Sequence, residues 1–265
     1  DMSLTGKTKA GSYKDILQMN NSNSGVDGTL RNVVDGEGTA SALNISTQHL
    51  ILTPNFDHHS TFVVKDVAEN AILKADTTNK LVKAGVGQHI VNTQYAYFGV
   101  GHYELSYLAA NTHTPLPFQS ATYAKSNDLV LFGTGTDPAT TFTTAEGANT
   151  RAAALVPVMW RVPDNITIDE IKHLEGASTA TGDTNRMHLM SYTFTSGATA
   201  CLTSGAVVAN TSADNTNAGS EQPYLKDWTI GTSDIDAGKV LLCMFRGDSI
   251  NSDYSVSVTI KYHLR

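Results

Sequence analysis

Near the carboxyl end of the chain stands Tyr254-Ser255-Val256-Ser257-Val258-Thr259-Ile260-Lys261-Tyr262-His263-Leu264, with an apolar side chain at every even number and a polar one at every odd number. Successive side chains of a strand point to opposite faces, so this period of two predicts a strand with one face buried and the other wet. A helix would scatter the same residues around its axis. Just upstream, Val240-Leu241-Leu242-Cys243-Met244-Phe245 is apolar on both parities, the pattern of a strand covered on both faces.

Working outward, the chain from about residue 91 is a series of short strand-like segments separated by Gly, Pro, Asn and Asp clusters, as in a sandwich or barrel. The expected strands are 91–100, 105–109, 128–132, 152–162, 166–174, 186–195, 199–203, 224–230, 239–246 and 254–264. Ser178 to Asp183 and Asn210 to Gly219 read as exposed insertions between strands. Pro115 and Pro117 cannot donate to a ladder, so their stretch belongs at an edge or a crossing.

Residues 54–90 are ambiguous. Val64, Val67, Ala68, Ala71 and Ile72 would line one stripe of an amphipathic helix, yet Val63, Val64 and Val67 are β-branched. Asp76-Thr77-Thr78-Asn79 is turn chemistry lying between Ala71-Ile72-Leu73 and Leu81-Val82. The reading is a β-hairpin. Residues 1–53 read as an extended arm, because Met19 to Gly28 has almost nothing to bury. Small apolar groups recur in it at Tyr13, Ile16 and Leu17, and again at Leu43, Ile45, Leu50, Ile51 and Leu52. They need a partner surface, from the same chain, a neighbouring copy or a larger assembly.

Composition agrees with an all-β reading. The 265 residues hold 33 Thr, 21 Ser and 18 Asn against 18 Lys and Arg and 25 Asp and Glu, so the polarity is mostly uncharged and suits strands and turns rather than a helical bundle. A formal net charge of −7 gives no electrostatic footprint for phosphate backbones or anionic lipids, which speaks against nucleic acid and membrane surfaces as partners. Cys201 and Cys243 form no metal motif and sit in apolar surroundings, which predicts buried free thiols.

The motifs of catalysis are missing. There is no Gly-x-Ser-x-Gly elbow and no phosphate loop, and Gly36-Glu37-Gly38, Gly85-Val86-Gly87, Gly99-Val100-Gly101 and Gly133-Thr134-Gly135 each lack the third glycine of a dinucleotide fingerprint. Among nine histidines, no His-x-His or His-Glu-x-x-His occurs, although His89, His102 or His113 could meet its own copies around a threefold axis. Asp169-Glu170 and Asp234 with Asp236 are the available acid pairs for glycoside cleavage, and their neighbourhoods read as a strand start and a solvated turn. Tyr103, Tyr107, Tyr123, Tyr192, Tyr224 and Trp228 are the aromatics that could touch a sugar. Arg246-Gly247-Asp248 reads as the end of a hydrophobic strand. No cofactor, metal ligand or catalytic residue is assigned.

Ser12-Tyr13-Lys14-Asp15-Ile16-Leu17-Gln18-Met19-Asn20-Asn21-Ser22-Asn23-Ser24-Gly25-Val26-Asp27, with Gly36-Glu37-Gly38-Thr39-Ala40-Ser41-Ala42-Leu43 after it, resembles the amino-terminal arm of bacteriophage virion structural proteins. Asp76-Thr77-Thr78-Asn79-Lys80-Leu81-Val82 resembles a short hairpin unit of phage fibre proteins. Trp160 to Ile166 and Asn251 to His263 are similar to the β-sandwich half of structural proteins of tailed phages, marine ones especially. The resemblance implies a particle component exposed on the virion surface, made in the host cytoplasm, trimeric, and attached by its arm. It carries over no catalytic or ligand residue.

The expectation is therefore an all-β chain. Residues 1–53 form an extended attachment arm, 54–90 a β-hairpin connector and 91–265 a jelly-roll-like β-sandwich. Its function would be that of a homotrimeric capsid fibre or decoration protein, not an enzyme, with itself and other virion proteins such as the major capsid protein as partners. Tyr13, Ile16 and Leu17 would make the virion or subunit contact. The alternatives are a tail-fibre module recognising a host surface glycan or protein, and an envelope-polysaccharide depolymerase.

Overall fold

The computed structural model describes residues 16–22, 24–100, 110–119, 129–147, 149–178, 181–212, 214–219, 221–248 and 253–265. It is nearly all β, and the chain divides into two compact units, Asp1–Val91 and Asn92–Arg265.

The first unit holds two four-stranded antiparallel meanders. In one, β1 (Gln18–Met19), β2 (Arg31–Val34), β3 (Ala40–Ile45) and β4 (Leu50–Leu52) pair in chain order. Much of the stretch expected to be an extended arm is thus paired, because its polar residues make turns. Asp27 accepts from the Thr29 N–H and pairs with Arg31 at 3.0 Å, and Asp35 accepts from the Glu37 and Thr39 N–H groups around Gly36-Glu37-Gly38. In the other, β5 (Phe62–Lys65), β6 (Ala71–Asp76), β7 (Leu81–Ala84) and β8 (His89–Ile90) follow in order. The helical alternative fails at Asp66, whose carboxylate accepts from the Asn70 N–H at 2.8 Å, and at Glu69, whose φ of 66° closes a left-handed turn. The turn at Asp76 to Asn79 joins β6 to β7 with Asp76 opposite Leu81.

The second unit is a two-sheet sandwich. Its strands are β9 (Thr93–Val100), β10 (Thr114–Pro115), β11 (Trp160–Arg161), β12 (Ile166–Ser178), β13 (Thr184–Phe194), β14 (Leu202–Asn210), β15 (Asn215–Thr216), β16 (Glu221–Asp227), β17 (Thr229–Ile230), β18 (Asp234–Ile235), β19 (Val240–Gly247) and β20 (Asp253–Leu264). One sheet runs β16-β12-β20-β9 with β18 beside β12. The other runs β10-β19-β13-β14-β17, with β11 against β19 and β15 against β13. Ala96 and Phe98, Ile168 and Ile171, and Val256, Val258 and Ile260 from the first sheet meet Met187, Leu189, Leu241, Cys243 and Phe245 from the second.

β19 is covered on both faces. Leu241, Cys243 and Phe245 enter the inter-sheet core, while Val240, Leu242 and Met244 pack beneath Val130, Phe132, Phe142, Leu155 and Val158. That outer cover corrects two expected strands. Leu129 to Phe132 is not a strand, although Val130 and Phe132 are buried. Residues 152–158 form a helical turn, α1 (Ala152–Leu155), and a 3-10 turn, because three alanines and a leucine favour helix and Pro157 fits its first turn. Strand 105–109 lies outside the described residues.

β20 keeps its alternation from Tyr254 to Ile260 and loses it at the end, where His263 is buried and Leu264 exposed. There β12 bulges between Ile168 and Glu170, and the displaced Asp169 carboxylate accepts from His263 Nδ1 at 2.9 Å.

Candidate functional site

Of the three expected contact residues, Tyr13 lies outside the described residues, while Ile16 and Leu17 are 39% and 70% exposed. Larger apolar surfaces follow from the sheet registers. In the second meander Phe62, Ala75 and Val82 are directly opposite one another, as are Val64, Leu73 and Ala84, so all six share one face. Lys74, Asp76 and Lys83 occupy the other, together with Val63, Ile72, Leu81 and Ile90. In the first meander Ile45 opposes Leu50 and Leu43 opposes Leu52, again on one face, while Asn32 opposes Asn44 on the other. In each meander one face is thus the more apolar, while the other mixes apolar and polar side chains, Ile51 opposing Asn44 in the first. Among the described residues Val33 and Val34 are the only buried hydrophobic side chains of this unit, Leu50 is 70% exposed and Val82 48%.

The sandwich holds three histidine clusters that sequence spacing did not reveal. His173 and Glu175 point inward from β12 and join Trp228, Asn185 and Asn215 in a buried polar chain. Asn215 and Asn217 are therefore buried, against the expectation of an exposed insertion, because Glu175 draws the Asn215 amide inward. His113 and His188 meet edge to face at 5.0 Å, fully buried, with His188 Nε2 3.3 Å from Asp137. Burial pushes the His113 imidazole below its ordinary range and, with the neighbouring His113 and Arg186, pushes His188 down to about 4. His113 is thus enclosed by its own chain, and the residues around it do not present it to a symmetry axis. The third cluster is His263 with Asp169.

No protein-family model matches the chain, and no curated protein does.

Among the described residues no group of three or more metal-ligating side chains gathers, and Cys201 and Cys243 are buried free thiols held protonated by burial. Asp234 and Asp236 both pair with Arg265 rather than facing one another across a groove. Arg246 bonds the Asn111 backbone and side-chain oxygens, and Asp248 accepts from Thr184, so the Arg-Gly-Asp run is tied into the sandwich.

Of the aromatics named for sugar contact, Tyr192 and Trp228 are buried, and Tyr224 is partly buried against the core. Tyr103, Tyr107 and Tyr123 lie outside the described residues. The exposed aromatic pair is elsewhere, on the outer face of the five-stranded sheet. Ala96 and Phe98 of β9 face the core, so Tyr95 and Tyr97 face outward, about half exposed. Across the sheet Tyr97 opposes Thr259, which opposes Lys172, while Gly99 opposes Ser257, which opposes Leu174 and then Leu225. A groove of ≈ 440 Å³ runs between Tyr95 and Leu225 over Ser257 and Thr259. The signal in the sequence was the small and aromatic alternation Tyr95-Ala96-Tyr97-Phe98, which carries no polarity contrast to show which parity is buried.

Proposed function

We propose that the chain is a structural component of a tailed-phage particle, a homotrimeric capsid fibre or decoration protein. Its amino-terminal unit makes the subunit and particle contacts, and its sandwich is exposed on the particle surface. The observation that carries the assembly reading is the pair of meanders, each with a more apolar face whose side chains stay partly exposed among the described residues. Short antiparallel sheets need a second layer to be stable in water, and such a cover must be present when the chain folds. Further copies of the same chain meet that condition. Phe62, Val64 and Val82 are 40%, 37% and 48% exposed, so covering what remains would contribute roughly 0.5–1.5 kcal/mol for each side chain before ordering costs.

The phage assignment rests on the resemblance of residues 12–27, 36–43, 76–82, 160–166 and 251–263 to virion structural proteins. Ile16 and Leu17, exposed beside the first meander, and Tyr13 before them are the proposed contacts with the particle or adjoining subunits. Two measurements test the proposal. Sedimentation equilibrium of the full chain should give three times the monomer mass of 28.3 kDa, and a monomer would refute the assembly. Antibody raised against the chain should decorate intact phage particles, and unlabelled particles containing no such chain by mass spectrometry would refute the location.

A further inference from the structure

We infer that the outer face of the five-stranded sheet is a binding site for an uncharged saccharide. The inference stands apart from the assembly reading, since it concerns the other unit and another kind of partner. Tyr95 and Tyr97 are two positions apart on one strand and lie on the same face roughly 7 Å apart along β9, Tyr95 walling the groove and Tyr97 the adjoining depression. Leu174 and Leu225, 60% and 65% exposed, form the opposite wall of the groove. Between them the floor is low. Ser257 and Thr259 supply hydroxyls, and the adjoining depression of ≈ 530 Å³ continues over Gly99 and Gly176. A Cβ on Gly99 would stand 2.5 Å from the Val256 carbonyl oxygen, so that end of the floor stays bare.

The polar groups decide the occupant. Lys172 Nζ lies 2.7 Å from Glu170 and 3.4 Å from Asp227, and Lys261 stands directly opposite Tyr95 and Glu170. Around the groove these two ammonium groups and two carboxylates balance, so it has no preference for a phosphate or a carboxylated ligand. A permanent subunit interface depletes Lys, Glu and Asp from its centre, whereas here they sit in it. What the face offers is apolar ring surface beside hydroxyl, ammonium and carboxylate groups, both donors and acceptors. A pyranose matches it, with C–H faces that lie on tyrosine rings and hydroxyls that both donate and accept. The combined size suits a small ligand.

The test is an array of uncharged oligosaccharides of glucose, galactose, mannose and N-acetylglucosamine, with acidic glycans included, probed with the full chain. The strongest uncharged binder is then titrated calorimetrically against the full chain and its variants. Tyr97→Ala and Tyr95→Ala should each weaken binding by about tenfold or more, Tyr97→Phe should retain most of it, and Ser257→Phe, which fills the floor, should abolish it. Any of four results overturns the inference: no uncharged glycan bound, only acidic glycans bound, affinity unchanged in both alanine variants and in Ser257→Phe, or a change of oligomeric mass in Tyr97→Ala. The last would mean that another copy covers this face.

Discussion

Trp228 donates its indole N–H to Nδ1 of His173 across 2.8 Å, and because an indole nitrogen only donates, this imidazole carries its proton on Nε2. That proton faces Glu175 Oε2 at 3.3 Å, and Glu175 Oε1 accepts from the Asn185 and Asn215 amides at 2.9 and 2.8 Å. One buried carboxylate thus receives three donors, from β12 itself, from β13 and from β15, and ties the two sheets together.

Replacing that carboxylate with an amide breaks the chain at a defined point. In Glu175→Gln the oxygen can serve the two asparagines, which turns the NH2 group toward the His173 Nε2–H. Swapping the imidazole tautomer would only move the clash to Trp228. The expected cost is about 1–3 kcal/mol, read as a lower urea midpoint at unchanged slope. A variant as stable as the parent would show that the network contributes no net stability.

The His113 and His188 pair sets a pH dependence. Burial lowers both imidazoles in the folded chain, and between about 4, where His188 titrates when folded, and 6.5, its ordinary value, the unfolded chain binds a proton at His188 that the folded chain does not. Stability is therefore full above pH 6.5 and falls as pH drops through this window. Asp76, held at about 2 chiefly by the Asn79 backbone N–H, adds its loss only below 3.8. Urea unfolding at half-unit pH steps should show the slope, and His188→Gln should flatten it. An equal slope in the variant would remove His188 from the account.

Assembly should depend on one face of the second meander and not on the other. Val82→Glu places a charge among Phe62, Ala75 and Leu73 and should shift the full chain from trimer to monomer or to aggregate in sedimentation. Lys74→Glu, on the opposite face, should leave the mass unchanged. Equal behaviour of the two variants would separate this face from the assembly.

Gly205 is confined by the outer cover of the second sheet. A Cβ there would lie 2.5 Å from Tyr192 Cε1, 2.8 Å from Thr140 Cα and 2.9 Å from the Thr140 oxygen. Tyr192 cannot yield easily, since it is fully buried and its hydroxyl donates to the Ala139 carbonyl at 2.7 Å. Gly205→Ala is expected to cost about 1–3 kcal/mol, whereas Gly28→Ala, with nothing within 4 Å, should be near neutral. Paired thermal melts decide it.

Residue order alone determined the β architecture and the burial of particular strands. The period of two in Tyr254 to Ile260 and the double apolar parity of Val240 to Phe245 both reappear in the sandwich, because a strand's side chains alternate whatever its neighbours are. The same holds for the turn at Asp76 to Asn79, where an Asx side chain satisfies its own local backbone. Contacts between distant segments were decided by the tertiary structure. Ala154, Leu155 and Val158 came to cover the far side of β19, and Glu175 met Asn215 across 40 positions of sequence. Asp169 reached His263 only through a bulge, and Tyr95 and Tyr97 turned outward only because Ala96 and Phe98 fit the core. Periodicity gives the direction of a side chain relative to its own strand, whereas the partner it meets depends on register and on which sheet lies opposite, and no local pattern encodes either.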